Sequence, residues 1–314
     1  MRIVTFEPFL TELVCALGRE GDLVGVSHRC DFPAAVGALP RVTGGPDSPR
    51  SGLSTLCRDP VRLDELVGLR PDLVLTTLQP SAAERSGAEC SAADAGMAGA
   101  AVTEALRALG CPGVKVRGHD PRTLAGVFET FEKVGVELGL GAAGRDLAHR
   151  TRAQFMDWAD NFYERTKNKR VTFLESVEPL RLGGFWIPDM IKFTSAVSQE
   201  PPRGEVGRTV EWDEIVRFNP DVHVIAPAGL SLNESAKLLR RFEARAGWES
   251  LGAVKRGEVI FAAGEGQFDR AGPRLREAMG VLVSAIAGLE SGYITPRDVF
   301  YRLRWVELHR HRFT

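Results

Sequence analysis

Several things are scarce or missing in this chain. The five cysteines, Cys15, Cys30, Cys57, Cys90 and Cys111, are odd in number and form no C-x-x-C pair. That excludes a disulfide framework and fits a reducing compartment best. No 18-residue apolar run occurs, so no segment reads as a membrane-spanning helix. Charge of one sign is lacking too. The formal net charge is −1, which points to neither nucleic acid nor membrane insertion. There is no P-loop, no G-x-G-x-x-G and no nucleophile elbow, and the paired carboxylates lack a catalytic spacing. Met1 and Arg2 run straight into the strand-like IVTF, without a basic and then apolar leader. This predicts a cytoplasmic protein. The alternative is an exported one, periplasmic or lipid-anchored, whose leader has been removed.

What is present is an ordinary globular balance, 44% hydrophobic and 26% charged, over 314 residues. That length accommodates two cores. A long stretch from Pro121 to Lys167 organises the rest. Asp120 reads as a helix cap with Pro121 at the first position, and Leu124, Val127, Phe128, Phe131, Val134 and Leu138 follow at helical spacing. Spacing resumes at Leu147, Phe155, Trp158 and Phe162. Gly139, Gly141 and Gly144 are its weak point. One continuous helix would extend ~70 Å, long enough to join two lobes. The other reading is two helices broken at 139–144.

On either side, strand and helix signals alternate. The first part reads as strands at 3–6, 23–27, 72–77 and 114–118. Helices lie at 8–18, 59–69 (Asp59 as cap) and 100–110, with a loose small-residue loop at 79–99. The second part reads as strands at 171–177, 221–229 and 258–264, with helices at 185–197, 209–218, 234–247 and 272–289. Both parts contain one unit, LDELVGLRPDLVLTT and WDEIVRFNPDVHVIA: an acidic amphipathic helix, then Pro-Asp, then an apolar strand. The pattern predicts an α/β fold of two parallel-sheet lobes joined by one long helix. The lobes are expected at 1–120 and 169–290, the linking helix at 121–168 and a tail at 291–314. In open parallel sheets ligands bind beyond the carboxyl ends of the strands, so the site is expected in a cleft between the lobes.

Three segments, RIVTFEPFLTELVCALG, LVGVSHRCDFP and GWESLGAVKRGEVIFAAGEGQFDRAGPRL, occur in this order around the two Pro-Asp units. Together they resemble the cobalamin-type (class III) periplasmic-binding-protein family of ABC importers, in its leaderless HxCDYP-type branch. The resemblance covers about residues 1–290. It implies non-catalytic, non-covalent binding of a corrinoid, haem or ferric siderophore, and no intrinsic cofactor. Phe32 stands where the family has Tyr, Arg270-Ala271 where it has Arg-Pro, and Leu78-Gln79-Pro80-Ser81 where many relatives carry a cysteine motif.

The expected ligand-binding residues lie just past strand ends: Glu7, Pro8 and Phe9, then His28 and Phe32, then Phe185 and Trp186, then Gln267, Phe268 and Arg270. Phe9, Phe185, Trp186 and Phe268 are expected to face an apolar macrocycle, and Arg270 its polar groups. The plain alternative for each aromatic is core packing. His28 and Cys30 are of the type that binds a soft or borderline metal, but one loop completes no metal shell. The family places permease docking on one acidic residue per lobe, which carries over to Asp64 and Asp213; a solvated acidic helix face is the alternative. His309 and His311 form an HxH in a basic tail, read as a solvated or docked tail. The function expected is binding of a cobalamin-like corrinoid or related tetrapyrrole. The alternatives are a cytoplasmic enzyme or metallochaperone working through His28 and Cys30, and a haem or siderophore carrier for an ABC permease if exported.

Overall fold

The computed structural model describes residues 1–45, 59–77 and 103–303. The 79–99 loop, the 78–81 departure, Cys57, Cys90, His309 and His311 lie outside those residues. The chain divides into two compact units. The first comprises Met1–Pro121 with Thr130–Asp146, the second Arg122–Glu129 with Leu147 onward.

The first unit holds strands β1 (Ile3–Thr5), β2 (Leu23–Val26), β3 (Leu73–Thr76) and β4 (Lys115–Gly118). All are parallel, in the order β2-β1-β3-β4. Helices α1 (Pro8–Ala16), α2 (Leu63–Gly68) and α3 (103–108) separate them. Their apolar runs are buried, as in a sheet covered on both faces. Val4, Phe6, Leu66, Val74, Leu106 and Val116 form one core. Pro8 opens α1 at a position that needs no N–H, and Gly18 at φ 75° closes it. The helix expected from Asp59 starts only at Leu63. Pro60 and Val61 instead run in extended chain beside Thr43, and Asp59 turns its carboxylate to Arg29.

The expected single helix over 121–168 is not formed. Helices α4 (Leu124–Glu137) and α5 (Gly141–Asn161) are separate, and a short α6 (Tyr163–Thr166) follows. Gly139 is the cause: at φ 71° it closes α4, with its own N–H on Val136 O and that of Leu140 on Gly135 O. The chain then doubles back. A Cβ on Gly144 would lie 2.6 Å from Phe131 O, so these glycines let two backbones touch. At its other end α4 is capped by Thr123 Oγ1 on Gly126 N and by Asp189 Oδ2 on Leu124 N, not by Asp120.

The second unit carries β5 (Arg170–Val177), β6 (Leu180–Leu182), β7 (Val197–Ser198), β8 (Val222–Ile225), β9 (Val259–Ala262) and β10 (Phe300–Leu303). Its order is β10-β9-β8-β5-β6, with β7 also on β5. The centre is parallel, as expected, but β6 and β10 are antiparallel edges. β6 returns after a two-residue link, which permits only an antiparallel pair. Part of the tail is therefore an integral strand, and Arg302 donates from it to Ser284 O, Ala285 O and Leu289 O at the carboxyl end of a long helix. The helices are α7 (Ile187–Phe193), α8 (Trp212–Phe218), α9 (Leu232–Lys237), α10 (Leu239–Glu243), α11 (Gly252–Arg256) and α12 (Leu275–Ala287). Among the described residues no helix is long and apolar enough to cross a membrane.

The repeated Pro-Asp units fold alike. Asp72, before β3, accepts the backbone N–H of Arg2 at 2.7 Å; Asp221, before β8, accepts that of Arg170 at 2.9 Å. Arg2 donates back to Leu69 O and Arg170 to Phe218 O. Arg70 and Asn219, each preceding the Pro-Asp, both take positive φ, 45° and 48°.

His223 on β8 is fully buried among Trp212, Phe242 and Trp248, ring centroids 5.9 to 6.5 Å away. Burial pushes its pKa down to about 3. The unfolded chain takes up this proton below about pH 6.5 while the fold refuses it. Its effect on stability is thus neutral above that pH and grows unfavourable as pH falls toward 3. His223→Leu should flatten the decline of the urea midpoint between pH 6.5 and 4; an unchanged slope contradicts this.

Candidate functional site

In the first unit the carboxyl ends of β1, β2 and β3 deliver Glu7, the Ser27–Arg29 turn and Thr77 to one place. Glu7 is nearly buried; its Oε1 accepts from Thr77 Oγ1 at 2.9 Å and its Oε2 from Arg29 at 3.1 Å. Arg29 also donates to Asp59 Oδ2 at 2.8 Å, so one guanidinium joins two carboxylates. His28 is fixed by Thr43, whose Oγ1 lies 2.9 Å from its backbone N and 2.8 Å from Nδ1. Its pKa lies below the ordinary value because of burial, with Asp59 opposing and Arg29, Arg62 and Arg41 adding to the depression. Arg41 holds the loop itself, donating to Ser27 O and Cys30 O at 3.1 and 2.9 Å. Phe32 is 45% exposed, before a cis Pro33.

One expectation for this unit fails. Phe9 is buried, its ring taken up in packing along α1. Cys30 is buried as well, with its Sγ 3.0 Å from Thr11 Oγ1, and burial pushes its thiol pKa up. A thiol held protonated in this way is unsuited to ligate a metal or attack a substrate.

In the second unit Phe185 and Trp186 stack, centroids 5.9 Å apart and planes 25° apart. Phe185 has φ 54°, a region that bulky residues avoid. Two backbone bonds hold it there: its N–H donates to Glu205 O at 2.6 Å, and its carbonyl accepts from Gly204 at 2.9 Å. The neighbouring Gly184 gives its N–H to Glu175 Oε2, and a Cβ there would collide with the backbone at Val206 and Gly207. Trp186, also expected to face a macrocycle, instead lies buried behind Phe185, which is half-buried. Phe268 does not present its ring as expected. It is 4% exposed and meets Phe173 edge-on at 4.9 Å. Gln267 is buried, and Arg270 is largely buried with Nε 3.9 Å from Asp269, not exposed at a mouth. Asp64 on α2 and Asp213 on α8 are both exposed.

Glu7 and Pro8 sit where the sequence places them, but Arg29, Asp59, Thr43, Arg41 and Glu200 carry no local signature. Asp59 and Thr43 meet His28 only through tertiary folding. Glu200 does so too: its carboxylate accepts Phe173 N–H of β5 at 2.6 Å, taking over where β7 stops.

The comparisons give the fold. A periplasmic, possibly iron-binding solute-binding protein from Staphylococcus epidermidis aligns with a TM-score of 0.66 and 21% identity, over 91% of this chain and 98% of that one. A periplasmic heme-binding protein from Pseudomonas aeruginosa gives 0.65 and 19%, over 96% and 98%. The periplasmic vitamin B12-binding protein of Vibrio cholerae gives 0.61 and 18%, over 91% and 96%. The fold is that of the periplasmic solute-binding proteins. No protein-family description and no curated protein matches the sequence. This solute-binding-protein fold is the one expected from the sequence.

Burial raises the pKa of Glu200 to about 7, against the bonds from Phe173 and Ser198. The fold therefore keeps a proton that the unfolded chain releases above about pH 4.5, so stability falls as pH rises from 4.5 to 7 and levels off beyond. Glu200→Gln keeps an acceptor for Phe173 N–H. It should remove that slope and be the more stable form at pH 8. The native slope persisting in the variant contradicts the assignment.

Proposed function

We propose that this protein binds, without catalysis, a metal chelate of the corrinoid or tetrapyrrole class, cobalamin and haem included. The observation that carries this is Phe185. Holding a bulky residue at positive φ costs of order 1–3 kcal/mol and persists only where the surroundings impose it. Here two backbone bonds and the glycines at 184, 204 and 207 impose it, and the result is a half-buried ring backed by Trp186. A flat, apolar platform of this kind suits the face or edge of a macrocycle. The polar set of Glu7, Arg29, His28 and Asp59 suits the amide, carboxylate or metal portion of the same class.

Solved structures of this fold are described as binding heme, vitamin B12 or iron, which supports the ligand class and does not choose within it. The enzyme or metallochaperone alternative weakens because Cys30 is unavailable. The cytoplasmic location expected from the sequence gains no support, since the three structures compared above are periplasmic proteins, and the exported alternative gains by it. In that reading Asp64 and Asp213, both exposed, dock on a permease.

Titration with cobalamin, diaquocobinamide and haemin, followed by absorbance, tests the proposal. At least one should bind. Phe185→Ala should weaken that binding by about 1–3 kcal/mol, the range for a large aromatic contact, with the far-ultraviolet circular dichroism unchanged. Failure of all three to bind contradicts it.

A further inference from the structure

We infer that Thr43 fixes the tautomer of His28, so that Nδ1 carries the proton and Nε2 offers its lone pair as an axial ligand to the metal of a bound chelate. The ligation half rests on the binding function proposed above; the tautomer half stands alone.

Thr43 Oγ1 has one hydrogen and two lone pairs. Its hydrogen goes to Ser27 Oγ, where Thr43 is the donor at 3.3 Å. One lone pair accepts the backbone N–H of His28 at 2.9 Å, which has no alternative direction. The contact to His28 Nδ1, the shortest of the three at 2.8 Å, is left with an acceptor on the Thr43 side. With the Thr43 hydrogen on Ser27 Oγ, it is Nδ1 that brings the hydrogen. Ser27 Oγ accepts from Arg29 N as well, at 3.2 Å, so it is already a receiving atom. The Asp59 carboxylate, 4.0 Å from Nδ1, favours a proton on that nitrogen. Thr43 is fully buried, so bulk water does not compete at its hydroxyl. Arg41, clamping the carbonyls of Ser27 and Cys30, keeps the loop in this register.

The consequence lies at the opposite edge of the ring. With the proton on Nδ1, Nε2 is an unprotonated nitrogen, and among the described residues no protein group bonds to it. The hydrogen bond at one ring nitrogen thus sets the ligating character of the other. A single imidazole does not make a metal site in a protein. It suffices for a chelate that brings its equatorial ligands and exchanges an axial water. In that exchange the Nε2 lone pair replaces the water oxygen on the metal, and the ring proton stays on Nδ1.

The tautomer is read in the ligand-free, 15N-labelled protein at pH 8 from long-range proton–nitrogen spectra of the imidazoles. His28 should be in the Nδ1–H form in the native protein and in Thr43→Ser. Thr43→Val should shift it to Nε2–H, the form an imidazole side chain favours in water. Nε2–H in the native protein overturns the inference, and the native and Thr43→Ser spectra decide this even if Thr43→Val does not fold. Diaquocobinamide is the probe for ligation. Native protein should give the absorbance change of axial imidazole coordination, His28→Ala none, and Thr43→Val at least tenfold weaker binding. Binding without that absorbance change overturns the ligation half. If no chelate binds, the proposed function and the ligation half fall together, and the tautomer spectrum still confirms or refutes the role of Thr43.

Discussion

Each sheet is registered by one carboxylate. Asp72 and Asp221 stand at the entry of a central strand and accept the backbone N–H of Arg2, just before β1, and of Arg170, the first residue of β5. A charged acceptor for a backbone donor is among the stronger hydrogen bonds available. It settles which residues of β1 face β3, and of β5 face β8. Everything functional lies downstream of that choice. A slip of one residue between β1 and β3 would turn Glu7 away from Thr77. The preceding positive-φ residue and the returning arginine bond to the helix end recur in both units. The motif works as a joint between helix, strand and neighbouring strand.

The same joint explains what the sequence made legible. Pro-Asp followed by an apolar run is short, local and repeated, so it announces two similar α/β units. The parallel order of the first sheet and the parallel centre of the second follow from it. Over 121–168 the sequence leaves one helix and two both open, because periodicity continues on both sides of Gly139. A backbone reversal of three residues leaves the apolar spacing almost intact, and only the left-handed conformation of Gly139 reveals it. The edges of the second sheet escaped for another reason. β6 and β10 are short, and their direction is set by pairing partners far along the chain.

The candidate site divides in the same way. Residues immediately past a strand, such as Glu7, His28 and Phe185, can be placed from the local pattern. Their environments cannot. Phe9 and Phe268 occupy equivalent-looking positions, yet their rings turn into the core. Sequence position past a strand does not fix side-chain direction; the first turn of a helix and a tight turn aim their rings differently. Thr43, Asp59 and Glu200 act at a distance along the chain from what they hold. Their roles are properties of the folded polar network, in which each acceptor is accounted for by a specific donor.

The proposed function requires that a corrinoid or tetrapyrrole ligand meet the Phe185 ring. The most direct measurement is a nuclear magnetic resonance titration of the labelled protein with diaquocobinamide, whose cobalt(III) is diamagnetic. The account predicts that Phe185 signals shift along one saturation curve, while those of His223 in its aromatic cage stay in place. Saturable binding that leaves the Phe185 signals unmoved would contradict it.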